Sequence, residues 1–325
     1  MYKRIITHAD FDGVVSAALC SRALNISFLM FTQPRLVAEA RISITKEDIV
    51  CDLPYPLECG LWFDHHDGNL EELLHRNILL KEIPGKFEIK ESCARVVYDY
   101  FLEKNIHFPE FISETIAEAD KIDSFNYSSI EEWRAETPGK IIDASIKVKE
   151  PSAERKWEHL RNLVRHLQDR PIAEVAKMAS VRKRYRQYRE EEERMIEQIR
   201  EEIQFLPQDK NHHVILLDLT HHNRRPFLFK QLAYLVHPEA QAVLLVSNVF
   251  EDTTKTNDLT FSMSLSLNMN KIEHNKDIGD IMRSLNLGSG HAGAAAGVIN
   301  CDSKEEMLKK KNQLLNEIWD RFTSQ

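Results

Sequence analysis

Four short segments carry residue types that can hold a divalent ion. The first, THADFDG, offers His8, Asp10 and Asp12 at alternate positions, followed by Gly13. An imidazole and two carboxylates spaced this way on an extended turn can converge on one ion. Nitrogen and carboxylate oxygen without thiolate suit Mn²⁺, or Mg²⁺ in its place. The second, IVCDLP, supplies a single carboxylate, Asp52, which by itself also reads as a turn or capping residue. The third, WFDHHDG, gives Asp64, His65, His66 and Asp67, with two adjacent imidazoles that can face a cleft. The fourth, AEADKIDS, sets Asp120 and Asp123 at the end of a predicted helix. Carboxylates there oppose the helix dipole, so a compensating cation is expected.

The elements that must position these residues are α/β in character. Residues 4–7, 26–32, 49–51 and 61–63 read as strands, with a small-residue helix over 14–23 between the first two. Strands alternating with helices predict a parallel sheet, and three of the four segments directly follow a strand. Open sheets of this kind bind ligands at the C-terminal ends of their strands. Ser92 reads as an N-cap, and residues 108–120 as a helix. Pro171 starts a long polar helix through RKRYRQYREEEERMIEQIREEI, suited to connect two lobes. Beyond Pro207, residues 213–219, 242–249 and 259–267 read as strands, with helices over 227–236, 277–285 and from Ser303. The expectation is a two-lobed α/β chain: residues 1–175, a linker helix over 176–206, and a smaller α/β domain over 207–325.

Glycine is scarce, 10 in 325 residues, yet Gly279, Gly288, Gly290, Gly293 and Gly297 cluster near the end. Such clustering marks a backbone that must approach something closely. Taken together, HADFDG, Asp52, Asp64-His65-His66 and Asp120 resemble the signature motifs of the DHH phosphoesterase superfamily. The segment GSGHAGAAAG resembles the GGGH-type loop of the DHH-associated domain in its RecJ-like and nano-RNase branch. Ser289 stands where the family often has glycine.

The resemblance implies a bilobal enzyme: a parallel-sheet DHH domain with two Mn²⁺ ions (Mg²⁺ as substitute) and a DHH-associated domain binding substrate across the cleft. Carried over by position, His8 and Asp10 hold one ion, Asp12, His65 and Asp120 the other, and Asp52 bridges them; Asp67 and Asp123, next to these positions, are the alternatives to Asp64 and Asp120. Asp64 orients the pair, and His66 faces the scissile phosphate. Gly288, Ser289, Gly290 and His291 would cradle a phosphate, His291 contacting the phosphate or terminal base. A helix start is expected after His291, which would add dipole attraction for an anion. Arg224 or Arg225, in HHNRR, would reach a phosphate.

Composition narrows the partners. With 43 Lys+Arg against 51 Asp+Glu, net −8, the chain lacks the positive field that holds long duplex DNA. A short oligonucleotide or nucleotide suits it better. Inorganic polyphosphate or pyrophosphate is the alternative substrate class, and a homodimer is allowed. No apolar run approaches a membrane span, and MYKRIITHAD lacks a signal core, which predicts a cytoplasmic protein. Cys20, Cys51, Cys59, Cys93 and Cys301 are scattered and read as buried thiols. The pairs His212-His213 and His221-His222 read as surface histidines, because neighbours in sequence rarely chelate one ion. The stripe RKRYRQYR reads as ordinary i,i+4 pairing on a solvated helix.

Overall fold

The computed structural model describes residues 2–224, 226–251 and 253–325. Packing divides the chain into two compact units, Met1–Asn126 with Ala135–Glu190, and Tyr127–Arg134 with Glu191–Gln325.

The first unit is built on the expected parallel sheet. Its strands are β1 (Arg4–His8), β2 (Leu29–Thr32), β3 (Asp48–Cys51), β4 (Leu61–Asp64) and β5 (Gly85–Phe87). Their order is β2-β1-β3-β4-β5, and every pairing is parallel. Every residue of β3 and β4 is buried, which accounts for their unbroken apolar runs. Ile6, Val50 and Trp62 line one face with Leu53 and Leu73. On the other, α1 (Phe11–Leu24) is buried continuously from Phe11 to Ser21. The helices α2 (Pro34–Ala38), α3 (Asp67–His75), α4 (Cys93–Glu103) and α5 (Ile112–Asp123) follow. After α6 (Ile130–Arg134), which packs in the second unit, come α7 (Pro138–Lys147), α8 (Ala153–Leu167) and α9 (Ile172–Lys177). Helices α4, α5 and α8 surround α1, so small residues such as Ala17 and Ala18 permit close packing. The helix expected over 108–120 begins later, at Ile112, because Pro109 disfavours helical backbone at Phe108. Phe108 instead packs on Tyr98 and Phe101. The long helix expected from Pro171 is broken at Met178, whose backbone is extended, so that α10 (Ala179–Glu202) starts afresh.

The second unit carries β6 (Ile203–Gln204), β7 (Val214–Asp218), β8 (Ala242–Glu251), β9 (Thr254–Leu265), β10 (Gly288–His291) and β11 (Ala294–Ile299). They form a mixed sheet, β10-β11-β9-β8-β7-β6, in which only β7 and β8 run parallel. Helices α11 (Ile278–Ser284) and α12 (Lys304–Ser324) cover one face through Ile281, Leu315 and Phe322 against Val246, Phe261 and Met263. The opposite face packs Ile215, Leu217 and Val243 on Leu232, Tyr234 and Ile199. The α-helix expected over 227–236 is a 3-10 stretch, Lys230–Leu235.

The glycine-rich segment is a β-hairpin, not the helix start expected after His291. Each residue of 294–299 pairs with β9, and that pairing overrides the helix preference of Ala294–Ala296. The close approach signalled by the glycines is between the hairpin's own strands. A Cβ on Gly297 would lie 1.9 Å from the Leu287 carbonyl oxygen, and one on Gly288 2.1 Å from that of Ala296.

Candidate metal centre

Register assembles the centre. Thr7, Cys51 and Phe63 are cross-strand partners, so the next residues, His8, Asp52 and Asp64, lie level at the C-terminal edge of the first sheet. The chain then folds back into α1, whose N-cap Asp10 accepts the Gly13 N–H at 2.9 Å. That return needs glycine, since a Cβ on Gly13 would lie 2.3 Å from the His8 carbonyl oxygen. Asp12, in the first turn of α1, accepts the Cys93 and Ala94 N–H groups, both at 2.8 Å, at the positive end of α4.

Three sets of side chains converge: His8, Asp10 and Asp52; Asp12, His65 and Asp123; and Asp52, His65 and His66. Asp52 joins the first to the third, and His65 the second to the third. His8 Nδ1 lies 2.7 Å from Asp10 Oδ2 and 3.4 Å from Asp52 Oδ2. His65 Nε2 lies 3.2 Å from Asp123 Oδ2 and 3.8 Å from both Asp12 and Asp52. Its other nitrogen, Nδ1, donates to the Lys90 carbonyl at 3.0 Å. This fixes the tautomer and leaves Nε2 as the ligating lone pair. Asp52 adopts left-handed backbone, φ 56°, as its N–H reaches the Phe63 carbonyl.

The electrostatics call for a cation. Both Asp52 oxygens and His65 Nε2 are buried without a hydrogen-bond partner, an arrangement that costs free energy unless something binds them. Burial, then Asp10 and Asp12, push the Asp52 carboxyl well above its usual range. Burial, then Asp123, push Asp12 up to about 8, and burial with Asp10 pushes Asp123 up to about 7. Burial works against both Asp10 and His8 as ions, yet their mutual hydrogen bond prevails, lowering the carboxyl and raising the imidazole. Nitrogen and carboxylate donors of this kind fit a divalent ion such as Mn²⁺ or Mg²⁺.

Asp64 sits beneath. It is fully buried, receives His66 Nδ1 at 2.8 Å and Asn69 Nδ2 at 2.6 Å, and thereby orients His66. Burial opposes charge on His66, but the Asp64 hydrogen bond and field outweigh it and raise the imidazole to about 9. The His66 side chain remains half exposed. Asn69, on α3, has a role that the spacing of the motifs does not signal.

One expected ligand is displaced. Asp120 does not face the cluster: Ser92 Oγ donates to it at 2.7 Å and Arg95 Nη2 at 2.5 Å. Asp123, in the last turn of α5, takes the place beside His65. Asp67 is exposed in the first turn of α3.

The substrate-side residues expected in the second unit are not drawn into one group. His291 is exposed at the hairpin tip, its Nδ1 accepting the Gly293 N–H at 3.1 Å. The tip lies level with the C-terminal end of β9, whereas Arg224 follows the C-terminal end of β7, at the opposite edge of the sheet by register. Gly288 and Gly290 lie within β10. Arg225 and the Ser289 side chain lie outside the described residues. His221 and His222, expected to be unrelated surface residues, converge with Glu202. All five cysteines are buried and free. Among the described residues no helix is long and apolar enough to cross a membrane.

No protein-family model and no curated protein sequence matches the chain. Solved structures do, and what they share with it is the fold, a parallel-sheet unit followed by a mixed-sheet unit. A pGpG-specific phosphodiesterase, PggH from Vibrio cholerae, is similar over 97% of this chain and 98% of its own, at 23% identity and TM-score 0.68. A DHH domain described as a member of the S1p family of ribosomal proteins aligns over 98% of this chain and 86% of its own, 13% identical, TM-score 0.61. RecJ from Thermus thermophilus, in complex with Mn²⁺, aligns over all of this chain but 52% of its own length, 14% identical, TM-score 0.55. The present chain thus spans about half of that RecJ.

Proposed function

We propose that the protein is a metal-dependent phosphodiesterase that hydrolyses short oligonucleotides or small nucleotides. One observation carries the reading: Asp52, with both oxygens buried and without a hydrogen-bond partner, joins two groups of imidazole and carboxylate ligands at one sheet edge. Such a shared carboxylate suits two ions, Mn²⁺ by preference. His8, Asp10 and Asp52 would hold one, and Asp12, His65, Asp52 and Asp123 the other. When bound, such a pair supplies a water of lowered pKa and neutralises charge on the phosphoryl oxygens.

The chain's own residues prepare the rest. Lys90, through its carbonyl, keeps the proton of His65 on Nδ1. Asp64, itself held by Asn69, accepts from His66 Nδ1, so the Nε2–H of His66 is free to donate to a phosphoryl oxygen. Charge on His66, favoured by Asp64, suits it to meet the negative charge that develops there. In this reading residues 1–175 carry the chemistry and 176–206 connect. Residues 207–325 contact substrate through the hairpin that carries Gly288, Gly290 and His291, with Arg224 at the opposite edge of the sheet outside a short substrate's reach.

The likeness to a pGpG-specific enzyme and the acidic net charge both support a short nucleotide over long DNA. The test is a Mn²⁺ assay, with and without EDTA, on pGpG, an RNA pentamer, a long single strand, 3′-phosphoadenosine 5′-phosphate and polyphosphate. EDTA-sensitive cleavage of the short nucleotides is expected, abolished by Asp52→Asn. Phosphate release from polyphosphate alone would overturn the substrate class.

A further inference from the structure

We propose that Glu202, His221 and His222 form a divalent-cation site of zinc type in the second unit, separate from the carboxylate-rich centre of the first. The β6–β7 pairing sets Ile203 against Leu217, which brings the end of α10 beside the end of β7. The turn that follows, closed by the His222 N–H to the Leu219 carbonyl, folds both imidazoles onto Glu202. His222 Nε2 lies 2.7 Å and His221 Nε2 3.3 Å from the same oxygen, Oε1. The rings stand 4.0 Å apart.

Glu202 is an unfavourable place for an unneutralised carboxylate. It is the last residue of α10, at the negative end of that helix. Its side chain is only 11% exposed, and among the described residues no lysine or arginine pairs with it.

Counting protons sharpens the case. His221 Nδ1 lies 3.2 Å from the Asp218 carbonyl, a contact that requires the proton on Nδ1. In the neutral ring, Nε2 then presents a lone pair to a carboxylate oxygen, acceptor against acceptor. A cation among the three atoms turns that conflict into ligation, and the Asp218 carbonyl becomes the outer partner that aims the ring.

The dimensions agree. Zinc bound at about 2.0–2.2 Å in a tetrahedron sets its ligand atoms roughly 3.3 Å apart. The His221 contact already has that length, the His222 contact at 2.7 Å must open by about 0.6 Å, and all three ligand atoms lie within 4.8 Å of one another. Two imidazoles and one carboxylate leave a fourth position open. His221 also lines a cavity of about 600 Å³ with Lys255, Lys304 and Lys311, so water or a small anion can complete the set.

The test is Zn²⁺ titration of the metal-stripped full-length chain, followed by calorimetry, with Co²⁺ absorption as a second readout. Glu202→Gln and His222→Ala should each remove one zinc equivalent, or weaken it about 100-fold or more, while Asp52→Asn retains it. Folding is checked by circular dichroism, and His221→Ala, at the most exposed ligand, should give the same loss. Equal zinc stoichiometry with unchanged affinity in the parent and Glu202→Gln would refute the site, as would loss of this equivalent only in Asp52→Asn. Because the readout is binding, it stands whether or not the chain hydrolyses nucleotides.

Discussion

The two aspartates at the end of α5 make opposite predictions when replaced by asparagine. Asp123 Oδ2 lies 3.2 Å from His65 Nε2, within the group that also contains Asp12. A unit charge about 4 Å from an ion contributes about 4 kcal/mol at an effective dielectric constant near 20. Allowing each ion its charge doubled and its solvent screening restored, Asp123→Asn should weaken one Mn²⁺ site by roughly 100- to 1,000-fold. Asp120→Asn should leave metal affinity unchanged. It instead weakens the Ser92 and Arg95 contacts and costs roughly 1–3 kcal/mol of stability. Calorimetric Mn²⁺ titration separates the two variants directly.

The same substitution has a second, inverse effect. Burial and Asp10 raise the Asp123 carboxyl to about 7, so ionising it opposes the metal-free fold. Above that pH, Asp123→Asn relieves the opposition by at most about 4 kcal/mol. The metal-free variant should therefore melt higher than the parent at pH 8, by a smaller margin at pH 5, and together with it only below about pH 4. Loss of a metal equivalent in Asp120→Asn but not in Asp123→Asn would refute this reasoning, as would a lower melting point for Asp123→Asn at pH 8.

Three further outcomes are expected. Asp64→Asn should reduce kcat roughly 10- to 100-fold by freeing His66, while calorimetry still finds the metals bound. Metal-free protein should lose stability as pH rises from about 4 to 8, because Asp12 and Asp123 keep protons in the folded state that the unfolded chain has released. Mn²⁺ should accordingly raise the melting point more at pH 8 than at pH 5, with protons released on binding that a weakly buffered titration detects. Gly297→Ala should destabilise the second unit by about 2–4 kcal/mol in urea unfolding, since its Cβ would sit 1.9 Å from the Leu287 carbonyl oxygen.

What the sequence makes legible is the relation between strand ends and ligands. His8, Asp52 and Asp64 each close or follow an apolar run, and parallel register alone brings them level. The choice between Asp120 and Asp123 is not written locally. Both lie near one helix end, and the decision rests with Ser92 and Arg95, more than a helix away in sequence. The glycine-rich hairpin was hidden for a similar reason. An Ala-Ala-Ala run favours helix in isolation, and only pairing with β9 makes it a strand. The adjacent histidines showed no third ligand because Glu202 precedes them by a whole strand and its loop. Asn69 likewise has meaning only once α3 lays it against Asp64.

The left-handed backbone of Asp52, φ 56°, also bears on how such a protein can evolve. Most side chains in that conformation cost about 1–2 kcal/mol, whereas asparagine and glycine adopt it readily. Both are one base change from aspartate, and both remove a negative charge from a crowded, buried cluster. Loss of the shared ligand can therefore leave the fold standing, or firmer than before. On the proposed function, descendants of this chain that bind without turnover should carry Asn or Gly at position 52, with the surrounding strands unaltered.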